Sequence, residues 1–200
     1  ELGSLEEARR HYYRLLPSSG KYEQRDYGLA LLALREGDFD EAGRRLSASA
    51  ARTPRDLSVL QAYSYLLRHT GNASEANTQL DALLKLDLTN AFAQAERLWL
   101  SPKNGTDAAA LRQVLDRACA RHAQGYLELA TEYLRLSAWE EAARVLDYGL
   151  EVAKAAGEIP YPLLHYYRAF VADRSGDLDT AKKSIEAARN QILKIEIFPF

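Results

Sequence analysis

The chain has 200 residues, 47% of them hydrophobic and 27% charged, and its formal net charge is −2. Because the opposite charges nearly cancel, the composition argues against a general nucleic-acid binder, which usually has a basic face and a high pI, although a local basic patch is compatible with it. The single cysteine, Cys119, excludes an internal disulfide and a cysteine-based zinc cage.

One short element recurs along the chain. Its glycine and alanine are five positions apart, at Gly3–Ala8, Gly37–Ala42, Gly71–Ala76 and Gly176–Ala181, and a fifth copy, Ser137–Ala142, has serine in place of glycine. The first three copies recur every 34 residues, at positions 3, 37 and 71. Glycine can end a helix in the left-handed conformation, and the small alanine lets the two flanking helices approach closely. The element therefore predicts a tight turn between paired helices.

The register of this element gives the predicted elements in chain order. Residues 4–22 predict an unpaired helix, because its partner would precede residue 1, and we expect the chain to be a fragment for this reason. Repeats are predicted at 23–56 and 57–90, a degenerate pair without the glycine–alanine signature at 91–122, and repeats at 123–161 and 162–190. Residues 191–200 form an apolar tail that we expect to fold back over the last pair, with an interface to a missing downstream part as the alternative.

The 34-residue period and its Gly-x-apolar-x-x-Ala turn resemble the tetratricopeptide repeat (TPR). The resemblance implies an all-α, TPR-type superhelix, an α-solenoid of antiparallel helix pairs with about 9 to 11 helices in one array over 1–200. A second resemblance depends on the TPR pairs together with the terminal Phe198, Pro199 and Phe200. It is to bacterial multidomain proteins that join a carbohydrate-enzyme-like β-sandwich to a long TPR region.

Residues that would indicate catalysis are scattered along the sequence. The four histidines fall in different predicted helices, and the chain has no metalloprotease, phosphate-loop, nucleophile-elbow or dinucleotide-binding motif. Acidic pairs such as Glu140 and Glu141 begin helices, where carboxylates favour the positive end of the helix dipole. We therefore expect no enzymatic activity, no cofactor and no metal.

The TPR resemblance implies a binding groove. In that family the first helix of each pair lines a concave face that binds peptides or helices. The corresponding residues here are Tyr27, Leu31, Arg35, Gln61, Tyr65, Arg68, His69, Tyr166, Phe170 and Arg174. Tyrosine and arginine are enriched at interface hot spots. The Lys and Asn pattern with which some TPR domains clamp a terminal carboxylate is absent, because Tyr27, Leu31 and Ala62 occupy those positions.

These observations predict a non-catalytic scaffold that binds a peptide or partner domain in its concave groove, and another domain of the same parent chain is one candidate partner. The alternative is an accessory TPR region of a larger carbohydrate-active enzyme, inert in isolation. RNA binding is disfavoured by the net charge. No apolar run reaches the roughly 18 residues that span a bilayer, so we expect no membrane partner and a cytoplasmic location. If Tyr65 and Arg68 line the groove, replacing both by alanine should weaken partner binding without lowering the melting temperature.

Overall fold

The computed structural model of the chain describes residues 4–14, 22–101, 108–156 and 161–192. Over these ranges it contains eleven α-helices and no strand. The helices are α1 (Leu5–Arg14), α2 (Tyr22–Glu36), α3 (Phe39–Arg52), α4 (Leu57–His69), α5 (Ala73–Leu86), α6 (Ala91–Leu100), α7 (Ala108–Ala118), α8 (Ala123–Arg135), α9 (Trp139–Ala155), α10 (Pro162–Arg174) and α11 (Leu178–Ile192). The all-α prediction is confirmed, and within the described ranges the helix number matches the predicted range.

The predicted turn element has the expected backbone. Gly37, Gly71 and Gly176 are left-handed, with φ of +77°, +83° and +79°. The polar residue after each glycine caps the next helix. The side chains of Asp38, Asn72 and Asp177 each accept a hydrogen bond from the backbone N–H three residues further on. The alanine five positions after the glycine is buried in each of these turns, at Ala42, Ala76 and Ala181.

Ser137 takes the place of glycine in the turn between α8 and α9 and keeps the same backbone shape. Its φ is +59°, in the left-handed region that an L-residue with a Cβ adopts at a cost. The N–H of Ala138 still donates to the carbonyl of Tyr133, at 3.0 Å, as the N–H of Asn72 does to Leu67 at 2.7 Å. The surrounding fold therefore holds Ser137 in the left-handed backbone conformation that glycine has in the other turns.

The chain divides into two compact units, Glu1–Thr106 and Asp107–Phe200. In the first unit α2 packs on α3 and α4 packs on α5. Successive pairs are connected because α1 contacts α2, α3 contacts α4, and α6 contacts α5. Part of the core of this unit is a cluster of Leu60, Leu80, Leu83 and Ala93 from α4, α5 and α6. This is the pattern expected when each helix pair buries its apolar side against the next pair.

In the second unit α8 packs on α9 and α10 on α11, and α9 also packs on α10. Tyr126 and Tyr133 of α8 are fully buried. Gly149 of α9 lets the two helices approach, because a Cβ at this position would be 2.8 Å from the Cβ of Tyr126. The Tyr126 hydroxyl donates to Asp116 of α7 at 2.6 Å, which ties α7 to this pair.

Several predicted segments extend beyond the described residues. The unpaired N-terminal helix corresponds to α1, which ends at Arg14, and residues 15–21 lie outside the described ranges. The unit boundary falls between residues 106 and 107, inside the predicted degenerate pair 91–122, so that α6 belongs to the first unit and α7 to the second. The start of the predicted tail belongs to α11, which runs to Ile192, and residues 193–200 lie outside the description. Across the described ranges, each helix is too short or too polar to cross a membrane.

Candidate protein-interaction surfaces

The predicted groove residues of α2 differ in exposure. Tyr27 and Leu31 are half-buried, whereas Arg35 at the end of the helix is exposed. Arg35 lies opposite α1, where it contributes to a cleft described below. Of these three predicted groove residues, Arg35 alone offers a largely accessible side chain to a partner.

The predicted groove residues of α4 are largely packed inside the first unit. Gln61 and Tyr65 are buried, and Tyr65 retains 6% of its exposure. The ring of Tyr65 stacks on exposed His69, with 5.7 Å between centroids. This differs from the expectation that Gln61 and Tyr65 face a ligand. The reason is that residues 59–67 are buried on every side of α4, because α3, α5 and α6 all pack against it.

Arg68 makes an internal ion pair. Its Nε donates to Oε2 of Glu96 at 2.7 Å and its Nη2 donates to Oε1 at 3.1 Å. The Glu96 carboxylate, on α6, is fully buried. The guanidinium also lies 5.4 Å from the Tyr65 ring centroid and 5.3 Å from that of Trp99. Arg68 therefore holds α4 to α6, and the sequence reading missed this role because it gave Glu96 no partner.

The first helix of the last pair, α10, has an exposed apolar side. Leu163, Tyr166 and Phe170 lie on one side and each keeps 38–39% of its exposure. The opposite side of α10, including Leu164 and Ala169, is buried. An exposed side with three large apolar residues indicates an interaction surface more strongly than single exposed residues do.

Trp139, at the start of α9, supports this side of α10. Its ring meets that of Phe170 edge-on, with 6.0 Å between centroids. The exposed guanidinium of Arg174 is 5.8 Å from both ring centroids. We call Leu163, Tyr166, Phe170 and Arg174, with Trp139 beneath them, the α10 face.

Leu163 and Trp139 were absent from the predicted groove set, although their repeat positions could have found them. Leu163 precedes Tyr166 by one helical turn. Trp139 lies two positions after the left-handed Ser137, as Phe39 lies two positions after the left-handed Gly37. The ring of Phe39 contacts that of His69 in the next first helix, with 5.0 Å between centroids. One second helix in each unit, α3 and α9, thus has an aromatic residue at its start that contacts the following first helix.

Two clefts accompany these surfaces, one in each unit. The α1–α2 cleft has a volume of about 730 Å³, with Leu5 and Leu32 among its apolar lining residues. Its basic lining residues are Arg10, His11, Arg14 and Arg35. The α7–α9 cleft has a volume of about 790 Å³ and is lined by Arg112, Arg117, Arg121, Asp116, Tyr148 and Glu151. Both volumes suit a short segment of a partner.

Burial shifts the pKa values of two side chains of types that are often catalytic, Cys119 and His165. Burial raises the pKa of the Cys119 thiol to about 12, so that it stays protonated and is a poor nucleophile at neutral pH. Burial lowers the pKa of His165, whose Nε2 lies 2.9 Å from Nε2 of Gln191. Within the described ranges, no three His, Cys, Asp or Glu side chains are placed to hold a metal ion. What these surfaces offer chemically is apolar contact and cationic hydrogen-bond donors.

Solved structures share this fold. A tetratricopeptide repeat protein from Parabacteroides merdae aligns over 94% of this chain and 73% of its own, with a TM-score of 0.51 and 16% identity. The APC/C hetero-tetramer Cut9–Hcn1 aligns over 96% of this chain and 38% of the matched chain, with a TM-score of 0.52 and 17% identity. A structure of the MamA protein covers 90% of this chain and 99% of its own at 18% identity, but its TM-score of 0.44 is too low to carry an argument.

No protein-family profile matches the chain, and no curated protein matches it significantly. The structural likenesses show the fold, which is a helical repeat of the TPR type, and they confirm the TPR prediction. The resemblance to TPR regions joined to a β-sandwich remains a prediction.

Proposed function

We propose, with the TPR-type fold as the premise, that the protein is a non-catalytic interaction scaffold that binds a segment of a partner protein on the α10 face. The observation that carries the proposal is the row of Leu163, Tyr166 and Phe170, each more than one-third exposed. One solved neighbour, the APC/C hetero-tetramer Cut9–Hcn1, is an assembly of several chains, which supports an assembly role for this kind of fold.

The apolar part of the α10 face supplies affinity. Fully burying a large apolar side chain contributes about 1.5 to 3 kcal/mol. Because the three side chains are already about three-fifths buried, covering the remainder would contribute on the order of 2 to 4 kcal/mol in total. Since each 1.4 kcal/mol corresponds to about a tenfold change in affinity, this is worth roughly two orders of magnitude in Kd. The occupant should therefore present aliphatic or aromatic side chains.

Arg174 sets the orientation in which a peptide would bind. The guanidinium carbon of Arg174 lies over the rings of Trp139 and Phe170, 5.8 Å from each centroid, and these contacts restrict where the cation can sit. A planar guanidinium edge pairs well with a carboxylate, often through two hydrogen bonds. We therefore expect the occupant to be a peptide segment with apolar residues followed by an acidic residue that meets Arg174.

The test is selection of a displayed peptide library against the full chain, followed by fluorescence anisotropy with the enriched peptides. Replacing both Tyr166 and Phe170 by alanine should weaken binding by about tenfold or more, since it removes most of the apolar contact. Ile185→Ala is the matched control, because Ile185 is 44% exposed on α11 of the same unit but lies outside the α10 face. This control should bind as the wild type does.

Three results would contradict the proposal. The selection could enrich no peptide, or the Tyr166 and Phe170 variant could bind as tightly as the Ile185 control. Alternatively, Phe198→Ser with Phe200→Ser could increase the affinity of the selected peptides. That result would identify the chain's own apolar tail, rather than a partner, as the occupant of the α10 face.

A further inference from the structure

The α1–α2 cleft carries an excess of positive charge that the nearly neutral composition conceals. Arg10, Arg14 and Arg35 line it together with His11, and among the described lining residues Glu7 is the single acid. The apolar side chain of Leu32 is buried beside these cations. The cleft thus combines an apolar wall with cations.

The acidic residue of this cleft, Glu7, already makes hydrogen bonds at the start of α1. The Glu7 carboxylate accepts a hydrogen bond from the backbone N–H of Ser4 at 3.2 Å, and the Ser4 hydroxyl accepts from the N–H of Glu7 at 3.2 Å. This reciprocal pair is a capping box, which satisfies the backbone at a helix start. Glu7 is therefore held at the beginning of α1, whereas Arg14 is at its end.

The nearby carboxylate of Glu36 is also engaged. It pairs with Arg9, which is not among the residues that line the cleft. Among the described residues, no ion pair involves Arg14 or Arg35, and the Nε of Arg10 donates to the backbone carbonyl of Glu6. The guanidinium groups of Arg14 and Arg35 therefore have N–H donors for an external anion.

The α7–α9 cleft is similar in size but differs in charge balance. Arg112 pairs with Glu151, and Arg121 pairs with Asp116 at 2.9 Å. Two of its three arginines are thus matched by carboxylates of the same unit. The comparison shows that arginine content alone does not make a basic site, and that the α1–α2 cleft is the more electropositive of the two.

We propose that the α1–α2 cleft binds an acidic protein segment in which aliphatic side chains alternate with carboxylates. The carboxylates would pair with Arg14 and Arg35, and the aliphatic side chains would lie against Leu5 and Leu32. This surface belongs to the first unit and is separate from the α10 face. The two proposals can therefore fail independently.

The experiment uses a short fluorescein-labelled peptide of repeated Glu-Glu-Leu, and measures its anisotropy with the full chain. We expect binding that weakens with salt, and a loss of about tenfold when Arg14 and Arg35 are both replaced by glutamine. A variant with Arg14→Lys and Arg35→Lys keeps the charge but loses the planar pairing geometry, so it should lose less affinity than the glutamine variant. Arg112→Gln with Arg117→Gln in the α7–α9 cleft is the matched control and should have no effect.

Both cleft arginines are exposed, so the glutamine variant should keep the melting temperature of the wild type. The proposal is overturned if the peptide does not bind, or if a peptide with Gln in place of Glu binds equally well. It is also overturned if the Arg112 and Arg117 variant loses as much affinity as the Arg14 and Arg35 variant. Tighter binding of a labelled RNA oligonucleotide than of the peptide would indicate a nucleic-acid surface instead.

Discussion

At the residue scale, the left-handed turn positions decide where each helix pair bends. Three of them are glycine, but Ser137 takes the same conformation with φ of +59°. An L-residue pays about 1 to 2 kcal/mol in this region, whereas glycine does not. The sequence alignment of the turns located Ser137, and the structure shows that its backbone is strained.

The substitution Ser137→Gly should increase the free energy of unfolding by about 0.5 to 1 kcal/mol, because relief of strain exceeds the extra chain entropy of glycine. The reverse change, Gly71→Ala, should lower it by about 1 kcal/mol. A Cβ at Gly71 would meet no atom within 4 Å, so this loss would report backbone strain without a clash. Urea unfolding of both variants measures the effects, and a destabilised Ser137→Gly protein would contradict the explanation.

A second residue-scale prediction concerns pH. Burial holds the pKa of His165 below its ordinary value of 6.5, so the folded state favours the neutral ring. As the pH falls below 6.5, the unfolded chain binds this proton before the folded chain does, and the free energy of unfolding decreases. The contribution is fully present above pH 6.5 and is lost towards the lowered pKa of the folded state. Urea unfolding at pH 7.5 and 5.5 should show a smaller decrease for His165→Gln than for the wild type.

The pH range of this measurement separates His165 from two carboxyls at helix ends, Asp87 and Asp177. Hydrogen bonds from Thr89 and Thr180 hold the pKa values of Asp87 and Asp177 below their ordinary 3.8, so these groups stay ionised throughout it. An equal pH dependence in both proteins would show that His165 is not responsible.

At the element scale, equivalent repeat positions have different environments. Tyr65 of α4 and Phe170 of α10 lie at the same distance, six residues, before the turn glycines Gly71 and Gly176. Tyr65 is buried and Phe170 is 39% exposed. α6 packs on α4 and supplies the Glu96 and Trp99 contacts of Arg68, whereas one side of α10 remains exposed. The neighbouring element therefore decides whether a groove position becomes core or surface.

The Arg68–Glu96 pair gives the prediction at this scale. Arg68→Ala should lower the free energy of unfolding by about 3 kcal/mol or more, because the buried Glu96 carboxylate would lose its partner. A double variant with Glu96→Leu as well should recover much of that loss, since it removes the buried charge. Arg44→Ala, at a side chain that is 70% exposed, is the control and should change stability by less than about 0.5 kcal/mol.

This prediction reverses the expectation drawn from sequence for Tyr65→Ala with Arg68→Ala. Both residues pack within the first unit, so we expect that double variant to have a lower melting temperature. If the double variant kept the wild-type melting temperature and Arg68→Ala kept the wild-type free energy of unfolding, the Arg68–Glu96 pair would not hold α4 to α6.

At the scale of the whole molecule, the chain carries two chemically different surfaces on two compact units. The second unit has the apolar α10 face, and the first has the electropositive α1–α2 cleft. A net charge of −2 does not reveal the cleft, because acids elsewhere in the chain, such as the cap residue Asp38 and the ion-paired Glu41, balance its cations. Two surfaces of this kind suit a scaffold that contacts partners of different composition.

The sequence by itself determined the class of fold, the turns and most helix positions. Glycine, its following cap residue and the alanine act within a few positions of one another, so their effect is readable from local spacing. The exposure of Tyr65, Arg68 and Phe170 was decided by tertiary structure, because each depends on which distant helix packs beside it. The same holds for the charge of the clefts, since pairing of an arginine is set by carboxylates brought close by the fold, as Glu96 is to Arg68.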